Sequence, residues 1–498
     1  MRTGKQYLDS LGDGREVWFN GERVRDLTSH PILRRTAQAV ARLYDLQHDP
    51  EHAEAMTFAD AQGDRQGMPY FVPRSVEDLG RLRKYYELLT LQTGGFFGRF
   101  SAIMTLWHAY SMDPTAVYQK YNPVWLENMQ RFRADSMKID PWFSGAFHGP
   151  SGDRSRSVSG QDDPDAYLRI VETRPDGIVI NGYKAATLAA FSNEIYVVPW
   201  SFLQPEEKDW ALSVVVPTAT KGVKIVCREQ LVNSASAFSY PLSGLFDEID
   251  AHVIFDHVFV PNARIFCAGE PKVLEEVHLK ARIGGRLAPG TIPYVAWFST
   301  LQSMVRVKLM LGSAYLIAQA SGAMKTQSAP LVDGFAEIIQ IYQQLKALVI
   351  AAESDPIYTQ SGMAVPRPSI VYAGRHFVLD AYYRALCRFH ELVGGTPVIA
   401  PQESDFDNPQ LAPYLEKYLK GVDVDGRRRL QLIRFARELG MGYGAGRVQI
   451  FNHHGDAPRD SFKKQTMVYF EDLGEAQECI DSVERLLSHD SGAEHSQR

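Results

Sequence analysis

Cysteine is scarce in this chain of 498 residues. There are four, Cys227, Cys267, Cys387 and Cys479, far apart and with no Cys-x-x-Cys pair. That excludes a disulfide framework, a cysteine-rich zinc site and a four-cysteine iron–sulfur cluster. An excess of charge of one sign is also lacking. Lysine plus arginine is 53 and aspartate plus glutamate is 59, a net charge of -6. A dedicated nucleic-acid binder shows a basic field instead. No apolar run approaches the ~20 residues that span a bilayer. The opening stretch through Leu11 has no long apolar core, so no secretory signal is expected. There is no P-loop, no Gly-x-Ser-x-Gly elbow and no internal repeat. His48 and His52 have the His-x-x-x-His spacing of a helical metal site, but Pro50 between them favours a turn, and His453 and His454 are adjacent, a poor spacing for two ligands of one ion on a helix. These absences predict a cytoplasmic enzyme with no nucleic-acid, membrane or metal partner.

What is present is an ordinary globular composition, 45% apolar and 22% charged. Length alone suggests roughly three domains. Residues 1–138 read as mainly helical. Pro31 opens a helix over Ile32–Leu46, Ser75 with Asp78 caps one over Leu79–Thr90, and two more are expected over Gly95–Tyr110 and Pro114–Arg133. Residues 139–268 change to short β-branched runs between turns: Tyr167–Val171, Gly177–Ile180, Ile195–Val198, Leu212–Val216, Val223–Val226 and His252–Val260. That spacing predicts an antiparallel sheet or small barrel. Residues 269–498 return to helical patterning. Phe335, Ile338, Tyr342, Leu345 and Val349 recur at steps of three and four, as do Leu379, Tyr382, Leu386 and Phe389, which suits a bundle ending in a flexible tail. The fold class expected is α+β, mostly α, with a helical part, a central β domain and a helical bundle.

Several motifs carry little by themselves. Gly442, Gly444 and Gly446 follow a helix over Leu430–Leu439 rather than a strand, so they are no dinucleotide fingerprint. Arg427 to Arg429 reads as a solvated helix start, Ser151 to Asp165 as a surface loop, and Gly394-Gly395 as a helix stop. Four segments are more specific: Gly98-Arg99-Phe100-Ser101, His148 to Ser155, Ala186 to Phe191, and Gly446 to Asp456.

Taken in this order, and with the start Arg2 to Tyr7 and the late stretch Pro401 to Gly421, these segments resemble the 4-hydroxyphenylacetate 3-hydroxylase family. This is the large oxygenase component of two-component flavin monooxygenases, with phenol and chlorophenol hydroxylases among its members. The resemblance implies an acyl-CoA-dehydrogenase-like fold, consistent with the zones above, and a homotetramer or dimer formed through the bundle. It implies reduced FAD, supplied by a separate NAD(P)H:flavin reductase, and a C4a-hydroperoxyflavin that hydroxylates an electron-rich aromatic small molecule with O2. The protein would supply position, dryness and charge. By the same resemblance Pro150, Ser151, Gly152, Asp153 and Arg154 form a flavin loop, Thr187 lies beside the isoalloxazine ring, and His454, Gly455, Asp456 and Ala457 touch the flavin. Arg99 is the active-site arginine, whose permanent charge can hold a phenolate or carboxylate. Phe100, Ser101, Ile103, Trp142, Trp200 and Ser201 would contact substrate, with Phe147 and Phe298 adding to an aromatic pocket.

Three positions depart from the family. Ile103 stands where phenol hydroxylases place a tyrosine, Gly145 where they place a histidine, and Tyr294 to Ser299 lacks the histidine of the chlorophenol branch. His148 is the nearest replacement base. The departures point toward a specialised phenol or an amino-substituted ring. They also leave open a flavin-dependent desaturase, or a binding protein without turnover. An iron–sulfur dehydratase is disfavoured by the scattered cysteines.

Overall fold

The computed structural model describes residues 1–95, 115–150, 152–199, 203–232, 236–244, 246–283, 286–289, 292–359, 361–454 and 459–490. Short helices open the chain: α1 (Gly4–Asp9) and α2 (Arg34–Asp45). α3 (Val76–Gln92) starts where the Ser75 hydroxyl accepts from the Asp78 amide at 3.2 Å. The single helix expected over Pro114–Arg133 is divided. A first piece, Thr115–Tyr121, ends before Asn122, whose side chain caps α4 (Pro123–Ile139) with Pro123 in the first turn. Proline has no amide hydrogen to continue a preceding helix, so the break falls there. Most of the stretch expected as a helix over Gly95–Tyr110 lies outside the described residues.

The centre is one ten-stranded sheet. Its strands are β1 (Glu16–Phe19), β2 (Glu22–Val24), β3 (Phe143–His148), β4 (Arg169–Arg174), β5 (Gly177–Thr187), β6 (Glu194–Val197), β7 (Leu212–Pro217), β8 (Val223–Cys227), β9 (Asp250–Pro261) and β10 (Ile265–Ala268). The spatial order is β10-β7-β6-β3-β5-β9-β8-β1-β2, with β4 also on β5. The expected antiparallel sheet is in fact mixed, because β1 runs parallel to β8 and β3 parallel to β6. Both pairs are joined by long connections, which free them from hairpin geometry. The β1–β2 hairpin comes from the zone read as helical and completes one edge of the sheet.

The bundle is built from α5 (Ile292–Ala320), α6 (Ala329–Ser354), α7 (Pro368–Val393) and α8 (Gly426–Gly440), followed by α9 (Tyr443–His454), α10 (Arg459–Asp472) and α11 (Glu475–Asp490). α5 is its axis. Residues Tyr294 to Leu301 are buried all round, and the helix packs on α3, α6, α7 and α8. α7 stops at Gly394, whose φ of +67° is a left-handed conformation that favours glycine. Gly444 and Gly446 lie in the first turn of α9, with Gly442 just before it, so the segment opens a helix and is no nucleotide loop. Among the described residues no helix is long and apolar enough to cross a membrane.

Candidate active site

Three segments far apart in sequence meet at the end of β5. β3 lies beside it, with Ala146 opposite Ala186 and His148 opposite Ala185, the register shifting between them. β9 lies on the other side, with Asp250 opposite Thr187. α9 closes over this corner through Arg447.

The corner is an ionic cluster around Asp250. Arg447 donates Nε to Asp250 Oδ2 and Nη2 to Oδ1, each at 2.8 Å, and Nη1 to Glu248 Oε2 at 2.9 Å. Arg228 adds Nε to Asp250 Oδ2 at 3.3 Å and Nη2 to Asp247 at 2.6 Å. Burial pushes the Asp250 carboxyl up, but Arg447 and then Arg228 outweigh it and hold the group below the ordinary carboxylate range. The Thr187 hydroxyl donates to Asp250 Oδ1 at 2.8 Å, and the Thr187 carbonyl accepts from Ser144 Oγ at 2.8 Å. The next residue, Leu188, has φ +59° and returns its amide to the Ile249 carbonyl at 2.8 Å. A non-glycine residue there costs about 1 kcal/mol or more. The chain is therefore forced into a sharp turn right after Thr187.

A cleft of about 220 Å³ opens where β3 ends, lined by Phe147, His148, Tyr167, Leu168, Lys184 and Trp210 among others, Pro150 included. Gly149 lies flat against Tyr167, and a Cβ there would meet the ring at 2.7 Å. Lys184 is 5% exposed, and its ammonium donates to the Phe147 carbonyl at 3.2 Å. Burial pushes its pKa down to about 8. Among the described residues the Trp210 indole N–H is buried with no acceptor. Beyond the cleft the loop is held by its own polar atoms. Gln161 accepts from the Asp153 amide at 3.0 Å and donates to its carbonyl at 2.9 Å, and Asp153 binds the Ser155 amide and hydroxyl. Arg154 is exposed and makes no hydrogen bond or ion pair among the described residues, so its guanidinium is available to an anion.

Of the residues singled out from sequence, His148, Pro150 and Thr187 are brought to this end of β5, with Gly152, Asp153 and Arg154 on the adjoining loop. Trp142 goes elsewhere. It packs in the N-terminal core, 6.3 Å from the Tyr7 ring and 5.9 Å from Tyr44, away from the cleft. Phe298 likewise packs on Tyr86, at 4.3 Å. Arg99, Phe100, Ser101, Ile103, Ser151, Trp200, Ser201, Gly455, Asp456 and Ala457 lie outside the described residues, and His454 ends α9. The sequence reading missed Asp250, Lys184 and Trp210. Lys184 had a local signal, the one charge on a strand of uncharged residues from Gly177 to Thr187. Asp250 had none, because its partner Arg447 is 197 residues away.

The donor set fits an anionic flavin dinucleotide. Among the described residues Arg154 is an uncommitted cation of the kind a phosphate would take, and Thr187 offers a hydroxyl oxygen held in a fixed position. Helices, then a central mixed sheet, then a helical bundle closing over the sheet's end define an acyl-CoA-dehydrogenase-like architecture. Within that class the chain belongs to the 4-hydroxyphenylacetate 3-hydroxylase family. Residues 3–267 match the family's N-terminal model and residues 289–487 its C-terminal model. The 4-hydroxyphenylacetate 3-monooxygenase oxygenase component of Thermus thermophilus is 31% identical over 450 residues, 89% of each chain. The 4-nitrophenol 4-monooxygenase/4-nitrocatechol 2-monooxygenase oxygenase component of Rhodococcus opacus is 32% identical, covering 92% of this chain and 86% of the relative. Among solved structures, the oxygenase component of 4-hydroxyphenylacetate 3-monooxygenase complexed with FAD and 4-hydroxyphenylacetate superposes with a TM-score of 0.86 at 27% identity, over 99% of this chain and 100% of that one.

Proposed function

We propose that this chain hydroxylates a phenolic or amino-substituted aromatic ring at the corner where β3, β5 and α9 meet. The chain is a FAD-dependent monooxygenase, the oxygenase component of a two-component system, taking reduced flavin from a separate reductase. When bound, the reduced flavin supplies the electron pair that lets one atom of O2 enter the ring while the other leaves as water. The observation that carries the site reading is convergence: segments around His148, Thr187 and Arg447 come together although they are spread over about 300 residues. In this reading Arg154 and the loop from Pro150 hold the phosphates, Thr187 borders the ring system, and His148 stands at the cleft mouth as the base that takes the phenol proton. Lys184 supplies a buried cation facing the same cleft. Gly145 leaves the family's histidine position on β3 without an imidazole, which favours a substrate other than 4-hydroxyphenylacetate itself.

A homotetramer or dimer is part of the proposal. Ile480, Val483, Leu486 and Leu487 form an exposed apolar stripe at helical spacing on α11, and an unpartnered face of that kind fits burial against a second copy. A cytoplasmic setting fits the four unpaired thiols.

The test is direct. Purified protein, chemically reduced FAD, isotopically labelled dioxygen and a panel of phenols and anilines are mixed, and products are read by mass spectrometry. A product carrying one labelled oxygen supports the reading. Hydrogen peroxide as the sole oxygen product across the panel, with FAD bound, would refute the hydroxylase reading.

A further inference from the structure

A threonine hydroxyl has one proton to give and two lone pairs to accept with. At Thr187 the proton is already committed, because Oγ1 lies 2.8 Å from Asp250 Oδ1. Asp250 cannot reverse that bond. It is held as a carboxylate by the two-pronged contact with Arg447 and by Arg228, and a carboxylate only accepts. The arrangement is stiff. The Arg447 side chain is 10% exposed and is also tied to Glu248, whose side chain is 2% exposed. Thr187 and Asp250 face each other across the β5–β9 ladder, and Ser144 holds the Thr187 carbonyl. All that Thr187 Oγ1 has left to offer is acceptance.

We infer that Asp250 and Arg447 are positioning residues that make Thr187 an obligate hydrogen-bond acceptor, so that the site selects reduced flavin over oxidised flavin by hydrogen-bond polarity. The inference rests on the proposed placement of Thr187 beside the flavin ring. Two-electron reduction of an isoalloxazine turns ring nitrogens that accept into N–H groups that donate. An oxygen that can only accept matches the reduced ring and opposes the lone pairs of the oxidised one. For an enzyme loaded by a separate reductase, this polarity gives exchange a direction: reduced cofactor is retained and oxidised cofactor released.

The geometry also says how to invert the device. In Asp250→Asn the amide oxygen is drawn to the Oδ2 place, where Arg447 Nε and Arg228 Nε both point. The amide NH2 then falls opposite Thr187, whose hydroxyl must accept from it and is freed to donate outward. Thr187→Val removes the hydroxyl while keeping the branched shape, and Thr187→Ser keeps the hydroxyl.

The test measures dissociation constants of the full-length protein for oxidised FAD and for dithionite-reduced FAD under anaerobic conditions. Wild type is expected to bind the reduced form more tightly. Thr187→Val is expected to shrink the ratio of the two constants by about 10-fold, the scale of one hydrogen bond between polar groups. That is a change of ~30 mV in the two-electron potential of the bound flavin. Thr187→Ser should restore the wild-type ratio, and Asp250→Asn should shrink it as far as Thr187→Val or reverse it. A merely structural role for Asp250 would weaken both forms equally and leave the ratio unchanged. If Asp250→Asn does not fold, the Val and Ser variants decide alone. The inference is overturned if wild type and Thr187→Val bind both forms with the same ratio, even where labelled oxygen still enters a substrate. If wild type binds neither form of FAD, the functional reading itself falls and takes the inference with it.

Discussion

Lys184 offers a sharp test, because the fold keeps it at a cost. The residue is 5% exposed, on a central strand, with one hydrogen bond to the Phe147 carbonyl. Burial lowers its pKa from 10.5 to about 8. That drop corresponds to ~3 kcal/mol of unfavourable ionisation at neutral pH. Replacing Lys184 by Met keeps a flexible stem and removes the charge, at the loss of a hydrogen bond worth about 1 kcal/mol. Lys184→Met should therefore be more stable than wild type by about 2 kcal/mol at neutral pH. The sign of the pH effect follows from proton counting. Between pH 8 and 10.5 the unfolded chain still binds the lysine proton and the folded chain has released it, so wild-type stability rises with pH across that window. The advantage of Lys184→Met should shrink through this range and be gone above it. Denaturant unfolding of both proteins at a series of pH values gives the difference curve, in which other titrating groups cancel. A variant that is less stable at neutral pH, or a difference that is flat with pH, would refute the reasoning. The same variant should bind FAD normally while binding an anionic phenol more weakly, which equilibrium titration would show.

Arg447→Met removes the cation shared by Glu248 and Asp250 and should cost ~3–5 kcal/mol, read by denaturant unfolding. Without Arg447 the Asp250 carboxyl should titrate nearer its ordinary value. A group held low stabilises above its unfolded pKa and loses that as pH falls through the folded one, so this contribution should be lost at higher pH in the variant. Gly149→Ala places a Cβ 2.7 Å from the half-buried Tyr167 ring. It should cost ~1–3 kcal/mol and change substrate affinity more than FAD affinity, measured by titration of each. Val483→Glu puts a charge on the exposed α11 stripe, where Val483 is 56% exposed. It should lower the assembly state seen by sedimentation without changing the monomer's circular dichroism.

Much of the fold was legible because its signals are local. Ser75 caps its helix through its own hydroxyl, Gly394 ends another through its own backbone, and the stripe from Phe335 to Val349 lies on α6 as its spacing required. The strands at Gly177, Leu212 and Val223 begin where their turn residues place them. What failed also failed locally. Residues Glu16 to Val24 carry only a short alternation, and they become strands because β8 offers an unpaired edge. Trp142, expected among the substrate contacts by resemblance, packs among the described residues with Tyr7 and Tyr44, a cluster that no local pattern announces.

By itself the sequence determined most of the helix and strand segments, since periodicity, caps and turn residues act over a few positions. It determined family membership too, because the matching segments recur in order along the chain. Only the tertiary structure decided which polar groups share a dielectric environment. Asp250 is an unremarkable carboxylate until β9 sets it opposite Thr187 and α9 lowers Arg447 onto it. Lys184 is an ordinary surface-type residue until the sheet closes around it and strips its water. Coulombic and desolvation energies depend on distance and burial in space, which the order of residues along the chain does not record.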